Sequence, residues 1–162
     1  MKHKMSPARA YLLGLWKSRR TKQGVGVQGR KELCEVFLTS CLSEKLCQPD
    51  KVKFEEPKGP EEQARCYFYN SAIRAWLDGE VKKREQRLKY KNEFAASYFA
   101  GAFDARGGFS STGVAYFFGD HIDEIVLLRL GFRARKQRGK VAVLSKEFYG
   151  WILPHLKLMG KN

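Results

Sequence analysis

The sequence contains no apolar run near the roughly 20 residues that cross a bilayer. Its opening, MKHKMSP, lacks the apolar core of a signal peptide. These two gaps predict a cytoplasmic chain with no membrane partner. Histidine is also scarce, and His3, His121 and His155 are scattered. The four cysteines form no C-x-x-C pair: Cys34 and Cys41 fall on one face of an expected helix, while Cys47 and Cys66 stand alone. Without a ligand spacing there is no basis for structural zinc, and no cofactor or metal is expected. Acid is the scarcest of all relative to its opposite. Asp and Glu number 17 against 31 Lys and Arg, a net charge of +14. A surface so basic attracts polyanions, and each phosphate it contacts releases condensed counterions. The predicted partner is therefore nucleic acid.

The chain has 162 residues, 43% of them apolar, enough for one compact domain or two small halves sharing a core. An internal repeat favours two halves. Residues 10–19 read AYLLGLWKSR and residues 97–106 read SYFAGAFDAR, so Tyr11 matches Tyr98, Gly14 matches Gly101 and Arg19 matches Arg106 at a constant offset of 87. The same register places Gly26-Val27 on Gly113-Val114. Further on, Asn70, Ile73 and Trp76-Leu77 match Ser145, Phe148 and Trp151-Ile152 at an offset of 75, so the first copy carries twelve extra residues.

Each copy reads as helix, strand, helix, hairpin, helix. Ser6-Pro7 supplies an N-cap and a proline at the first helical position, opening a helix to about Arg19. Leu33, Cys34, Phe37, Leu38, Cys41 and Leu42 follow the 3.6-residue period of an amphipathic helix. Residues 51–55 and 64–69 alternate as strands. Asn70 caps a third helix that Gly79 is expected to interrupt, and the charged run 80–92, with few apolar residues, is expected to connect the halves. In the second copy Asp120 caps a helix that Gly131 ends, a hairpin spans 132–144, and Ser145 caps the last helix.

Residues 99–107, FAGAFDARG, resemble the LAGLIDADG motif, and residues 12–20, LLGLWKSRR, resemble a more degraded copy. Two such motifs, each opening the same series of elements, make nearly the whole chain similar to a single-chain LAGLIDADG homing endonuclease. The resemblance implies an α/β (α+β) fold in which two halves, 1–79 and 93–162, are related by a pseudo-two-fold axis. Their short antiparallel sheets would pack against helices, and internal symmetry would make the chain a monomer. The small residues fit independently. Gly14 and Ser18, like Gly101 and Ala105, stand at i and i+4 on one helix face, where they let two helices approach closely. In the family the motif's penultimate acids hold divalent metal at the scissile phosphates. The matching residues here are Arg19 and Arg106, which would repel such a metal. Asp104 survives, but its counterpart is Lys17, so the resemblance implies no catalytic carboxylate pair and no nuclease activity. Asp104 is expected to pair across the helix interface with Lys17.

Arginine at a helix C-terminus complements the helix dipole and grips phosphate bidentately. Lys17, Arg19, Arg20, Lys22 and Arg106 are thus expected to form a basic centre. The plainer alternative leaves these arginines capping carbonyls and facing solvent. Strand alternation puts Arg133 and Arg135 opposite Phe132 and Ala134, Lys51 and Lys53 opposite Val52 and Phe54, and Arg65 opposite Cys66. With Lys136, Arg138 and Lys140 near the second hairpin turn, these residues predict a basic saddle. Only residues 21–29 and 108–119 follow the motifs before the next helix, too few for the long ribbons with which the family reads base edges. Backbone and shape contacts then remain, which suits structured RNA ahead of DNA, within a large ribonucleoprotein such as the ribosome. Two alternatives stay open. A DNA-binding regulator of the same descent would need base readout, for which no helix-turn-helix is evident. A residual endonuclease would need a relocated carboxylate pair, such as Asp104 beside Asp120 or Asp123.

Overall fold

The computed structural model describes residues 3–60 and 62–158, so Met1 and Lys2 of the basic N-terminus, residue 61 and residues 159–162 lie outside the described residues. Two helices form its axis. Helix α1 (Pro7–Arg19) starts as expected, with Ser6 Oγ accepting from the Arg9 N–H at 3.2 Å. Helix α5 (Glu93–Arg106) starts with Asn92 Oδ1 accepting from the Ala95 N–H at 3.2 Å. The two pack along their length, and residues 95–105 of α5 are buried without a break. A helix buried on all sides carries no polar stripe.

Two glycines set the closeness of that packing. A Cβ on Gly14 would collide with the Tyr98 carbonyl oxygen and lie 2.9 Å from the Ala102 nitrogen. A Cβ on Gly101 would collide with the Tyr11 carbonyl oxygen and lie 3.0 Å from the Leu15 nitrogen. The clashes are reciprocal, since Tyr11 and Tyr98 are repeat mates, and so are Leu15 and Ala102. This is the pseudo-two-fold relation at atomic level.

Each motif helix leads into a small antiparallel sheet. In the first half β1 (Val25–Gly29), β2 (Lys53–Glu55) and β3 (Ala64–Phe68) form a sheet of order β1-β3-β2, covered by α2 (Lys31–Ser43). In the second half β4 (Gly107–Phe109), β5 (Ala115–Phe118), β6 (Ala134–Gln137) and β7 (Lys140–Val143) form a sheet of order β4-β5-β7-β6. Val25, Val27, Cys66 and Phe68 face inward in the first sheet, and Ala115, Phe117, Val141 and Val143 in the second. Phe117 and Phe148 also join Phe99, Phe132 and Trp151 in an aromatic cluster with centroid spacings of 5.0–6.4 Å.

The strand registers revise the repeat. Val27 pairs with Cys66 and Phe117 with Val141, and Cys66 and Val141 are mates at the offset of 75. Val27 therefore corresponds to Phe117, an offset of 90, and Gly26 corresponds to Tyr116 rather than Gly113. Three residues are inserted between motif and strand in the second half, in the turn where Gly113 takes a positive φ of 83°. The first half's extra residues lie mainly in two places. One is the approach to β2, which contains a 3-10 turn (Pro49–Lys51), and the other is the β2–β3 connection, 56–63. The corresponding β6–β7 connection is the two-residue turn Arg138-Gly139, with φ of 53° and 80°. Positive φ at both central positions matches a type I′ hairpin.

Four local expectations are corrected. Lys51 lies in the 3-10 turn, not on a strand with Lys53. Gly79 does not interrupt α3 (Ser71–Lys82), which runs through it after capping by Asn70. Ser145 Oγ does not cap α7 (Glu147–Ile152), because it accepts the Arg133 N–H at 2.7 Å instead. The run 80–92 is not merely a solvated connector. It completes α3, forms the short α4 (Arg84–Arg87), and buries Arg84 and Leu88.

Arg84 is the centre of a charged cluster joining this connector to both halves. Its guanidinium donates to Asp123 Oδ1 at 2.6 Å and to Asp120 at 2.8 and 3.0 Å. The Tyr98 hydroxyl donates to Asp123 Oδ1 at 2.7 Å, and Lys17 reaches Asp120 and Asp123, each at 3.3 Å. Asp120 and Asp123 also cap α6 (His121–Arg129) reciprocally. Burial alone would raise the Asp120 carboxyl, but the Arg84 hydrogen bond, the Lys17 charge and the capping N–H outweigh it and hold it well below the usual carboxylate range. A carboxyl depressed in the folded state contributes stability that is present above its unfolded pKa and lost as pH falls through the folded value. Thermal melts should therefore show stability declining below about pH 4. Arg84→Met should cost about 3–5 kcal/mol near neutral pH, because it leaves the buried Asp123 with Lys17 as its remaining cation. A melt shifted by less than 1 kcal/mol would show that the cluster does not hold the halves together.

Candidate nucleic-acid interface

Helices α1 and α5 end side by side, so their last arginines share one basin between the sheets. Arg19, Arg20, Arg106, Lys17, Ser18, Gln28 and Gln63 line a cavity of about 290 Å³, and no acid lines it. The two arginines differ in environment. Arg19 is half-buried, and its Nε donates to the Ala105 carbonyl at 3.0 Å across the helix pair. Arg106 is exposed, with its guanidinium carbon 4.0 Å from the Phe118 ring centroid. For Arg19 the carbonyl-capping alternative holds in part, but only one of its donors is used this way. Burial, then the charges of Arg106 and Arg30, lowers the Arg19 pKa from its usual value. The basin therefore concentrates like charge whose repulsion an anion relieves.

Of the acids around it, Asp78 pairs with Arg20 at 3.1 Å, and the rest are held elsewhere. Lys17, the expected partner of Asp104, reaches Asp120 and Asp123 instead. Asp104 is buried; its Oδ2 accepts from the Tyr11 hydroxyl at 2.6 Å and from the backbone N–H groups of Lys157 and Leu158 at 2.7 and 3.2 Å. Burial, then the Asp104 charge and hydrogen bond, pushes the Tyr11 hydroxyl far above its usual value and keeps it a donor. The repeat explains the arrangement. Tyr98 is the mate of Tyr11, but the residue equivalent to Asp104 is Lys17, so Asp123 supplies the missing carboxylate between Tyr98 and Lys17.

The registers place Lys53 and Arg135 at equivalent positions on the solvent faces, and likewise Arg65 and Lys140. Their surroundings differ. In the first sheet Arg65 lies 3.7 Å from Glu55, and beside it Arg20, at the end of α1, pairs with Asp78 of α3 at 3.1 Å. Lys22 is exposed and shares a shallow depression with Gln28, Arg65 and Tyr67. In the second sheet Arg133, Arg135, Arg138 and Lys140 are all exposed. Lys136 alternates onto the other face of β6, where its backbone N–H meets Glu124 Oε2 at 2.6 Å. Lys51 borders a separate groove with Leu42, Cys47 and Tyr69. The structure thus brings Arg19, Arg20 and Arg106 together with Lys17, which also pairs with Asp120 and Asp123, sets Lys22, Lys53, Arg65, Arg135 and Lys140 on the flanking faces, and leaves Lys51 and Lys136 off those faces. Sequence reasoning missed Gln28 and Gln63 in the basin, and Tyr67, Tyr116 and Phe118 on the sheets. The β5 sequence AYFF is apolar throughout, so it gave no signal of which residues face solvent.

Among the described residues no helix is long and apolar enough to cross a membrane. Neither a protein-family model nor a curated protein sequence matches the chain. Solved structures do. A variant of the homing endonuclease I-DmoI in complex with its target DNA superposes with a TM-score of 0.62 at 14% identity, over 91% of this chain and 96% of that one. A second I-DmoI complex with target DNA gives 0.64 at 12%, over 93% and 98%. The N-terminal LAGLIDADG domain of WhiA gives 0.58 at 12%, over 90% and 82%. With seven helices and two small antiparallel sheets among the described residues, this chain has the α+β fold of the LAGLIDADG homing endonucleases.

Proposed function

We propose that this protein binds structured nucleic acid by its phosphate backbone without cutting it, and that the partner is double-helical RNA in preference to DNA. The observation that carries the reading is the acid-free basin lined by Arg19, Arg20 and Arg106 at the convergent ends of the two central helices. A guanidinium pair matches phosphate oxygens and offers no ligand to a divalent cation. The nearby carboxylates are already engaged: Asp104 accepts from Tyr11 and two backbone N–H groups, Asp120 and Asp123 answer Arg84 and Lys17, and Asp78 pairs with Arg20 at the basin's edge.

The preference for RNA rests on the strands beside the basin. Strand β4 has three residues, and in the first half only a single Arg20–Val27 bridge takes its place, so neither hairpin reaches far into a major groove. A-form RNA is recognised by shape, phosphates and 2′-hydroxyls, for which short sheets and exposed cations suffice. A helical element of a large ribonucleoprotein offers such a partner. Against it stands DNA, which the I-DmoI neighbours bind in their complexes.

Filter binding with blunt duplexes of RNA and DNA of one sequence, across a salt series, separates the two. Tighter RNA binding at every salt concentration is expected, with log affinity falling linearly against log salt. Equal or tighter DNA binding overturns the preference. Incubation of plasmid DNA and duplex RNA with Mg²⁺ or Mn²⁺ should leave both intact, and cleavage that is lost in Asp104→Asn would overturn the non-catalytic reading.

A further inference from the structure

The solvent face of the second sheet carries a different kind of surface from the first. Tyr116 and Phe118, two residues apart on β5, project to the same side, opposite the buried Ala115 and Phe117. Across the sheet from Tyr116 come Ala142 and then Arg135, with Gly108 on the other flank, and across from Phe118 come Lys140 and Gln137. Two cations already lie over these rings. Lys140 Nζ is 4.6 Å from the Tyr116 centroid and 5.4 Å from that of Phe118, and the Arg106 guanidinium carbon is 4.0 Å from Phe118. The strand residues of this face include no acid. In the first half the equivalent rows read Gly26, Tyr67, Lys53 and Gln28, Arg65, Glu55. That sheet has one tyrosine, no aromatic at the position of Phe118, and a carboxylate beside its arginine.

We infer that this face of the second sheet is a stacking platform for unpaired nucleotides that extend from the duplex held at the arginine basin. The inference rests on the nucleic-acid reading above and adds the class of segment bound. Aromatic rings at alternate positions of a strand, with small residues beside them, offer flat surfaces on which successive bases stack, whatever the sequence. Lys140 and Arg106 occupy those surfaces through weak cation–π contacts in the free protein. An incoming base displaces them, and both side chains are long enough to swing onto the flanking phosphates. Arg106 belongs to the basin as well as to the platform, so it marks where duplex gives way to single strand. The exposed Arg135 adds a third phosphate contact along the strand's path.

The test compares two probes, a blunt RNA duplex and the same duplex with a short unpaired extension containing 2-aminopurine. The wild-type protein should bind the extended probe about tenfold more tightly, the gain expected of a single stacked base, and should quench its fluorescence. Tyr116→Leu with Phe118→Leu keeps apolar bulk on the strand. It should abolish the gain and the quench and change blunt-duplex affinity by much less than tenfold, with a melt confirming the fold. Tyr67→Leu, on the other sheet, should leave both intact. Equal wild-type affinity for the two probes, with a normal salt slope, overturns the platform and spares the duplex reading. Failure of the wild type to bind either probe overturns both. Should the leucine variant unfold, Lys140→Gln with Arg135→Gln provides the second measurement. It should weaken extended-probe binding more than blunt-probe binding, and equal weakening counts against the platform.

Discussion

Replacing Gly14 with alanine should lower stability by about 3 kcal/mol, the upper part of the range for overpacking a close contact. For a chain of this size that is a fall in Tm of roughly 6–12 °C. The reason is what the new methyl group meets. It would collide with the Tyr98 carbonyl oxygen and crowd the Ala102 nitrogen, both main-chain atoms in a buried helix with no side chain to rotate away. The helices would have to separate, and every residue between them would lose packing. Gly101→Ala should cost about the same, because it meets the mirror pair of main-chain atoms from Tyr11 and Leu15. The double variant should cost less than the sum, since helices separated by one methyl already have room for the other, and contacting sites couple in this way. Gly79→Ala is the control. Nothing lies within 4 Å of a Cβ there, in the middle of α3, so it should stabilise by about 0.4–1 kcal/mol. Should Gly14→Ala melt with the wild type, the two helices do not meet through these glycines. Substitution by leucine at either position should prevent folding.

These glycines show what was legible in the chain and why. Helix α2 is visible by its period because one face lies on a sheet and the other is wet. The central helices have no such period: residues 10–16 and 95–105 are buried on every side. What exposed them was the repeat, in which two glycines at one offset mark a contact that tolerates no side chain. The repeat held where packing fixes the geometry and slipped where a turn absorbs length, by three residues between Arg106 and β5. In β5, Ala115 and Phe117 face the core, while Tyr116 and Phe118 face out and are covered by Lys140 and Arg106.

Charge was less legible than shape. The run 80–92 looked solvated, yet Leu77, Val81, Arg84 and Leu88 recur at helical spacing, and Arg84 is drawn inward by two aspartates from a distant helix cap. A single sequence shows that a cation is present but not which carboxylate will answer it. Lys17 illustrates the point: its repeat mate Asp104 was the natural candidate, and Asp120 and Asp123 took it instead. Of the basic residues, those whose placement was foreseen lie on strand faces, where alternation constrains them, or at the two helix ends. Lys51, expected on a strand with Lys53, lies instead in the 3-10 turn before it; Lys136 lies beside the hairpin turn as expected, on the face of β6 opposite Arg135.

Changing both Arg19 and Arg106 to alanine should weaken nucleic-acid binding at low salt by about tenfold or more and flatten its salt dependence. Each phosphate contact contributes about 0.9 to the slope of log affinity against log salt on duplex DNA, so losing two should reduce the slope by about 2. The loss should be nearly equal for all sequences, because phosphate contacts carry no base information. The two single variants should differ. Arg106 is exposed and, among the described residues, rests on the Phe118 ring rather than on a hydrogen-bond acceptor, so Arg106→Ala should act chiefly on binding. Arg19 also holds the Ala105 carbonyl, so Arg19→Ala should lower Tm slightly as well. Aspartate at both positions is the harsher substitution. It replaces two cations with two anions in a cavity of about 290 Å³ that has no other acid, a local change of four charges facing the same phosphates. Binding without metal should then fall below that of the double alanine variant. Added Mg²⁺ should recover part of the loss by bridging carboxylate and phosphate, in the hard-oxygen coordination that magnesium prefers. Mg²⁺ should give no such recovery in the alanine variant. Filter binding of blunt RNA duplexes of several sequences across a salt series, with and without Mg²⁺, measures the binding differences, and thermal melts measure the shift in Tm. Parallel slopes and unchanged affinity in both double variants would show that the duplex is held away from the ends of the central helices.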